Sequence, residues 1–167
     1  FSQFIHLDTD ERTALSSTPQ NMIITQTQKA IASSSKIQEL SFNHPMKYLV
    51  AKTTGSSDLT SAGNKIKLQI NGTDVTDFKD ADPHFTAIPM YYHTQSSVSA
   101  GNHNVATLLV PFCIDTSKLQ PTGSLNFSRL DSARIVSDTQ TNGSDIYGVN
   151  YNILRIENGM GGLMYSN

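Results

Sequence analysis

Residues 65–70, Lys-Ile-Lys-Leu-Gln-Ile, alternate strictly between polar and apolar and stop at Asn71-Gly72. A side-chain period of two belongs to an extended strand with one face in a core, and Asn-Gly is a turn pair. Short stretches rich in Ile, Leu, Val and Thr, broken by Gly, Pro and Asn, recur along the chain. They place strands at 1–7, from Asn21 through 22–25, and over 36–42, 46–51, 65–70, 105–114, 125–136 and 149–156. The run 105–114 is apolar almost throughout, as expected of a strand buried on both faces, although Pro111 fits poorly in a central strand.

Helical signals are few. Asp8, Asp10 and Glu11 sit where a brief helix over 8–15 wants acids. Over 80–88, Asp82 can cap a short helix, Pro83 takes its first position and Pro89 ends it. The loop 53–63 has only Leu59 to bury and belongs on the surface. Gln120-Pro121-Thr122-Gly123 reads as a type I turn. Alternation changes parity near Ile153, which predicts a bulge or twist there. The tail, 158–167, carries three glycines as a flexible turn, then Leu163-Met164-Tyr165 to dock at the chain end. About eight strands, two short helices and no fixed-period repeat select an antiparallel sandwich or barrel over a βαβ fold. An eight-stranded antiparallel jelly-roll sandwich fits, but composition alone leaves immunoglobulin-like and lectin-like sandwiches open.

The 167 residues suit one domain. Charged residues are 16% of the chain, the net charge is -2 and five histidines are scattered, so direct nucleic-acid binding is disfavoured. Cys113, the lone cysteine, lies in an apolar run and reads as a buried thiol, which rules out an internal disulfide. Apolar runs fall far short of the roughly 18 residues a membrane-spanning helix needs, and the start lacks the basic region and cleavage site of a signal peptide. The start also lacks methionine, which suggests a piece of a longer polypeptide.

No catalytic, cofactor-binding or metal residues are expected. There is no His-x-His pair, and His84, His93 and His103 are too widely spaced for one strand or helix face. The acids at 8, 10, 11 and at 77, 80, 82 lack the glycine and terminal glutamate of a calcium loop and read as helix caps. No Gly-x-Ser-x-Gly elbow occurs, no helix can follow the glycines at 159, 161 and 162, and the sequons at Asn71, Asn126 and Asn142 read as chance.

The segment Gln120-Pro121-Thr122-Gly123-Ser124-Leu125-Asn126-Phe127-Ser128-Arg129-Leu130-Asp131 resembles a signature of the major capsid proteins of nucleocytoplasmic large DNA viruses. Leu7-Asp8-Thr9-Asp10-Glu11-Arg12, Phe42-Asn43-His44-Pro45-Met46-Lys47 and the stretch from Tyr151 to Leu163 leading to Tyr165-Ser166-Asn167 resemble the same family in the same order. In that family these marks fall in the second of two jelly rolls, which implies a single domain over 1–167 with the N-terminal jelly roll absent. The resemblance implies a structural protein: homotrimeric, pseudo-hexagonal capsomers in an icosahedral virion shell, contacting neighbouring capsomers and minor capsid proteins, without direct nucleic-acid contact or membrane insertion.

Pro121, Gly123, Asn126, Ser128, Arg129 and Asp131 are the expected structural motif. Asn126, Ser128 and Arg129 are placed to fix a tight corner by side-chain to backbone hydrogen bonds, and Asp131 to pair with Arg129 two residues away on one strand face. The competing reading is a carbohydrate-binding jelly roll using Tyr91, Tyr92 or Tyr147 as sugar platforms, weakened by the absence of tryptophan.

Overall fold

The computed structural model describes residues 3–52, 58–93 and 107–165. Two antiparallel sheets are formed. The larger runs β1 (Gln20–Ala30), β10 (Ile146–Glu157), β3 (Pro45–Lys52), β7 (Thr107–Pro111), with β11 (Met160–Leu163) added to β10 and β8 (Leu125–Asn126) to β3. The smaller runs β2 (Ile37–Glu39), β9 (Ala133–Ser137), β4 (Lys65–Ile70), β5 (Thr73–Asp74), with β6 (Lys79–Asp80) on β4. Three short helices accompany them: α1 (Thr9–Ser17), α2 (Ala81–His84) and α3 (Ala87–His93).

Setting aside the short additions β6, β8 and β11, the remaining strands pair in nested order: β1 with β10, β2 with β9, β3 with β7, β4 with β5. First pairs with last and fourth with fifth, which is an antiparallel ribbon wrapped over a core: the eight-stranded jelly roll expected from the sequence.

The core is where the two sheets meet. Met46, Leu49, Leu108 and Ile146 come from the larger sheet, Ile66, Leu68 and Ile135 from the smaller, all in one buried cluster. Each such side chain contributes about 1.5–3 kcal/mol of burial. Phe127 packs edge-on against Phe42 at 5.9 Å between ring centroids. Gly148 leaves room for this packing, because a Cβ there would lie 3.1 Å from both Leu49 Cδ2 and Met46 Sδ and those side chains would have to shift. On β4 the alternation works as read, with Ile66 and Leu68 buried and Lys67 paired to Asp74 at 2.7 Å. That lysine holds the Asp74 carboxyl below its ordinary range.

Two-residue hairpins close β4–β5 at Asn71-Gly72 and β10–β11 at Asn158-Gly159, with positive φ at all four residues. This is the turn whose twist matches the strands, and it favours Asn-Gly for that reason. The tail glycines therefore belong partly to a hairpin and not to a flexible turn.

Several expectations are corrected. Residues 3–7 form no strand: a strand needs a paired neighbour, and none is present among the described residues. The expected strand 125–136 is broken into β8, a 3-10 turn at Phe127–Arg129, and β9. The strand expected over 105–114 ends at Pro111, with Leu108, Leu109 and Val110 all buried and Ile114 exposed. The register shift lies at Val149/Asn150, not near Ile153. It arises because Tyr48 pairs Val149 while Met46 pairs Asn150, leaving Lys47 as the extra residue on β3. Pro89 does not end a helix but sits in the first turn of α3, where a missing N–H costs little. Asp82 has non-helical φ/ψ, and its carboxylate accepts the Thr86 hydroxyl. In the loop expected over 53–63, residues 53–57 lie outside the described residues, while Asp58 and Leu59 are both buried. Residues 98–104, a polar stretch that reads from the sequence as a second long loop, also lie outside them.

Candidate functional site

Two of the resemblance-bearing stretches, 42–47 and 120–131, meet at one corner beside β3, while 7–12 runs into α1 and the stretch from Tyr151 runs along β10 and β11. At the corner, Pro45 pairs with Asn126 and Met46 with Leu125. Phe127 N–H donates to His44 O at 3.1 Å, and His44 N–H donates to Ser128 Oγ at 2.8 Å. Asn126 Oδ1 accepts Ser128 N–H at 3.1 Å, capping the 3-10 turn. Further along, Asn71 Oδ1 accepts the N–H groups of Asp131 and Ser132 at 2.8 and 3.2 Å, tying the motif to the β4–β5 hairpin. Arg129 and Asp131 do not share a strand face, because the 3-10 turn intervenes, and no ion pair joins them. That part of the sequence reading is corrected.

The loop from Phe112 to Gly123 closes on itself. Gly123 has φ 143, and a Cβ there would lie 3.0 Å from Phe112 O and 3.2 Å from Cys113 Cα, so only glycine fits without displacing backbone. Thr122 Oγ1 accepts Asp115 N–H at 3.0 Å and donates to Asp115 O at 2.9 Å. Asp115 Oδ1 in turn accepts from Ser117 N–H and Oγ, and these bonds hold its carboxyl below the ordinary range. The whole loop, not a type I turn at 120–123, reverses the chain, and Pro121 is exposed. Beneath it lies the bulge residue Lys47, 6% exposed, with Nζ 3.4 Å from Lys118 O and 5.7 Å from the Tyr151 ring centroid. Cys113 is buried, as its apolar run implied, and burial pushes its thiol pKa up, so it is a packed thiol at neutral pH. Tyr151 Oη has no hydrogen-bond partner among the described residues.

One feature escaped the sequence reading. Asn150 and Asn152 on β10 are 0% and 1% exposed. Asn150 Oδ1 accepts from Gln28 Nε2 at 3.0 Å, and Gln28 exchanges hydrogen bonds with both the N–H and the C=O of Asn43. Asn152 Nδ2 donates to Gln26 Oε1 and Tyr165 O, both at 2.8 Å, while its Oδ1 accepts from Ile153 and Tyr165 N–H. These hydrogen bonds satisfy the two buried amide side chains and tie the main chain at Asn43 and Tyr165 to the larger sheet. The available signal was parity: Asn150 and Asn152 fall in step with Ile146, a core residue.

The remaining candidates disperse. His84 and His93 end α2 and α3, and His103 lies outside the described residues. Among the described residues no three His, Cys, Asp or Glu side chains converge on a metal-sized space. No helix there is long and apolar enough to cross a membrane. Of the acidic clusters, Asp8 caps α1 through Asp10 N–H at 3.0 Å. Tyr91 and Tyr92 are exposed but stand nearly perpendicular, at 88°, and so do not form one flat platform for a sugar ring. Tyr147 is exposed on β10.

A family model described as large eukaryotic DNA virus major capsid protein matches residues 11–162. The major capsid protein of Pyramimonas orientalis virus is 31% identical over 194 aligned residues, covering 100% of this chain and 48% of that protein. That of Paramecium bursaria Chlorella virus 1 is 26% identical, covering 98% of this chain and 53% of that protein. The chain thus spans about half the length of these relatives. A quasi-atomic model of the PBCV-1 virus capsid superposes with a TM-score of 0.73 at 23% identity, over 96% of this chain and 55% of that one, which shows the same fold. With the jelly roll, its corner motif and a family match over nearly its whole length, the chain belongs to the major capsid protein family of large eukaryotic DNA viruses.

Proposed function

We propose that this chain is the second, C-terminal jelly roll of a two-jelly-roll major capsid protein, and that it serves as a building block of an icosahedral virion shell. The observation that carries the reading is the family match over 11–162 in a chain about half as long as its relatives. The exposed side chains Phe4, Ile5 and Leu7, followed by α1 with no buried residue, support it: apolar surface of this kind suits coverage by an adjoining domain.

The work is passive. A two-sheet sandwich holds its loops rigid so that three subunits lock into a pseudo-hexagonal capsomer and capsomers tile with one another and with minor capsid proteins. In this reading no side chain acts as a catalyst, and a net charge of -2 gives the chain no overall attraction for nucleic acid. It works outside the bilayer.

The test is sedimentation velocity with negative-stain electron microscopy of the full-length polypeptide. Trimers with a pseudo-hexagonal outline are expected. A stable monomer, or a stoichiometric transition metal found by elemental analysis, would count against the reading.

A further inference from the structure

The chain holds three Asn-Gly pairs, at 71–72, 142–143 and 158–159. Such a pair carries a latent reaction of its own, because a glycine has no Cβ to shield its main-chain nitrogen from the preceding asparagine side chain. A ring closes only where that side chain can leave its partners and the main chain can turn, so the folded surroundings set the rate. Two of the pairs are held. Asn142 is 4% exposed, its Nδ2 donates to Gln38 Oε1 at 2.7 Å and its Oδ1 accepts Ser144 N–H at 3.1 Å. Asn71 Oδ1 accepts the N–H groups of Asp131 and Ser132, its own N–H donates to Ser132 O at 2.8 Å, and the Lys67–Asp74 ion pair clamps the strands beside its turn. Asn158 and Gly159 differ. Both are exposed, and the Asn158 side chain makes no hydrogen bond to any described residue. The strand that follows, β11, is exposed at all four residues, and two of them are glycines, which gain the most freedom when a hairpin opens.

We propose that Asn158 is a self-modification site, converted in the folded chain to aspartate and isoaspartate through a succinimide. Gly159 N attacks Asn158 Cγ, the Cγ–Nδ2 bond breaks, and the proton displaced from Gly159 N leaves with Nδ2 as ammonia. Water then opens the five-membered ring. Opening at Cγ gives aspartate, whereas opening at the main-chain carbonyl gives isoaspartate, in which the chain runs through the former side chain. No oxidant or reductant is needed. Isoaspartate adds a methylene to the main chain of a two-residue turn, which then no longer matches the twist of β10 and β11, so the four β11 pairings loosen. Either product places a new carboxylate next to Glu157. The change runs one way, so the fraction converted records how long a chain has been folded, whatever the chain assembles into.

Peptide mass mapping of the chain kept in mildly alkaline buffer, with and without urea, tests this. In urea, where no fold distinguishes them, the three pairs should convert at similar rates. In the folded chain Asn158 is expected to convert at least about tenfold faster than Asn71 or Asn142, since each of those must first release two side-chain hydrogen bonds. Asn152→Ala unties Tyr165 from β10 and should raise the Asn158 rate while leaving that of Asn71 unchanged. Should that variant not fold, the ranking of the three sites in the wild-type chain decides alone. Conversion at Asn71 or Asn142 that keeps pace with Asn158 in the folded chain would overturn the proposal. So would an Asn158 that stays intact while the urea sample converts, or one indifferent to Asn152→Ala in a folded variant.

Discussion

Ser128 Oγ accepts the main-chain N–H of His44 at 2.8 Å, although 84 positions separate the two residues. His44 O accepts Phe127 N–H in return. The two stretches Phe42–Lys47 and Gln120–Asp131 are therefore a single structural unit: one opens β3, the other folds over its start, and Phe127 fills the core between them. Their resemblance to the family reflects a closure that each half needs from the other.

Ser128→Ala removes that acceptor and leaves the His44 amide without it. A loss of about 1–2 kcal/mol is expected in urea unfolding. Arg129→Ala, with no ion pair to lose, should stay within about 0.5 kcal/mol of wild type.

Gly123→Ala forces a Cβ against Phe112 O at a φ that L-residues avoid. It should destabilise by about 1–3 kcal/mol, read from the shift in melting temperature. Pro121→Ala is a milder change, because Pro121 is exposed. Its effect, acting mainly through the unfolded chain, should stay below about 1 kcal/mol.

Asn152→Ala strands the N–H groups of Ile153 and Tyr165 and the carbonyl of Tyr165. Stability should fall by about 2 kcal/mol or more. In hydrogen exchange, the amides of Tyr165 and its β11 neighbours should lose protection before those of β4.

Asp145 accepts from Lys29 Nζ at 2.6 Å and from Ala32 N–H at 2.9 Å, and these bonds hold its carboxyl below the ordinary value of 3.8. Since the folded pKa is the lower one, the unfolded chain takes up the proton first as pH falls, and the stabilisation, complete well above 3.8, fades below it. Asp145→Asn should therefore be less stable than wild type at pH 7, and the gap should narrow by pH 3 in urea titrations at both values.

What was legible in the sequence was whatever is decided within one segment. β4 announces itself by its period, the Asn71-Gly72 turn by its need for positive φ, α1 by Asp8 as its cap, and β7 by three successive buried residues. What depends on a second segment was not. The bulge belongs to Lys47 on β3, opposite the strand whose parity first drew notice, because register is a property of a pair. Leu125 to Val136 has the apolar content of a strand, but hydrogen bonds to His44 and Asn71 fold it into a turn. The inward pair Asn150 and Asn152 looks polar and superficial until Gln26, Gln28 and Tyr165 are seen to meet it.

If the proposed role is right, this sandwich is a repeating part of a shell. Electron cryomicroscopy of particles built from the full-length polypeptide measures that directly. The nested β1–β11 sandwich should fit repeated density in every capsomer, with its corner at His44 and Ser128 intact. A shell whose capsomer density has no place for this sandwich would contradict it.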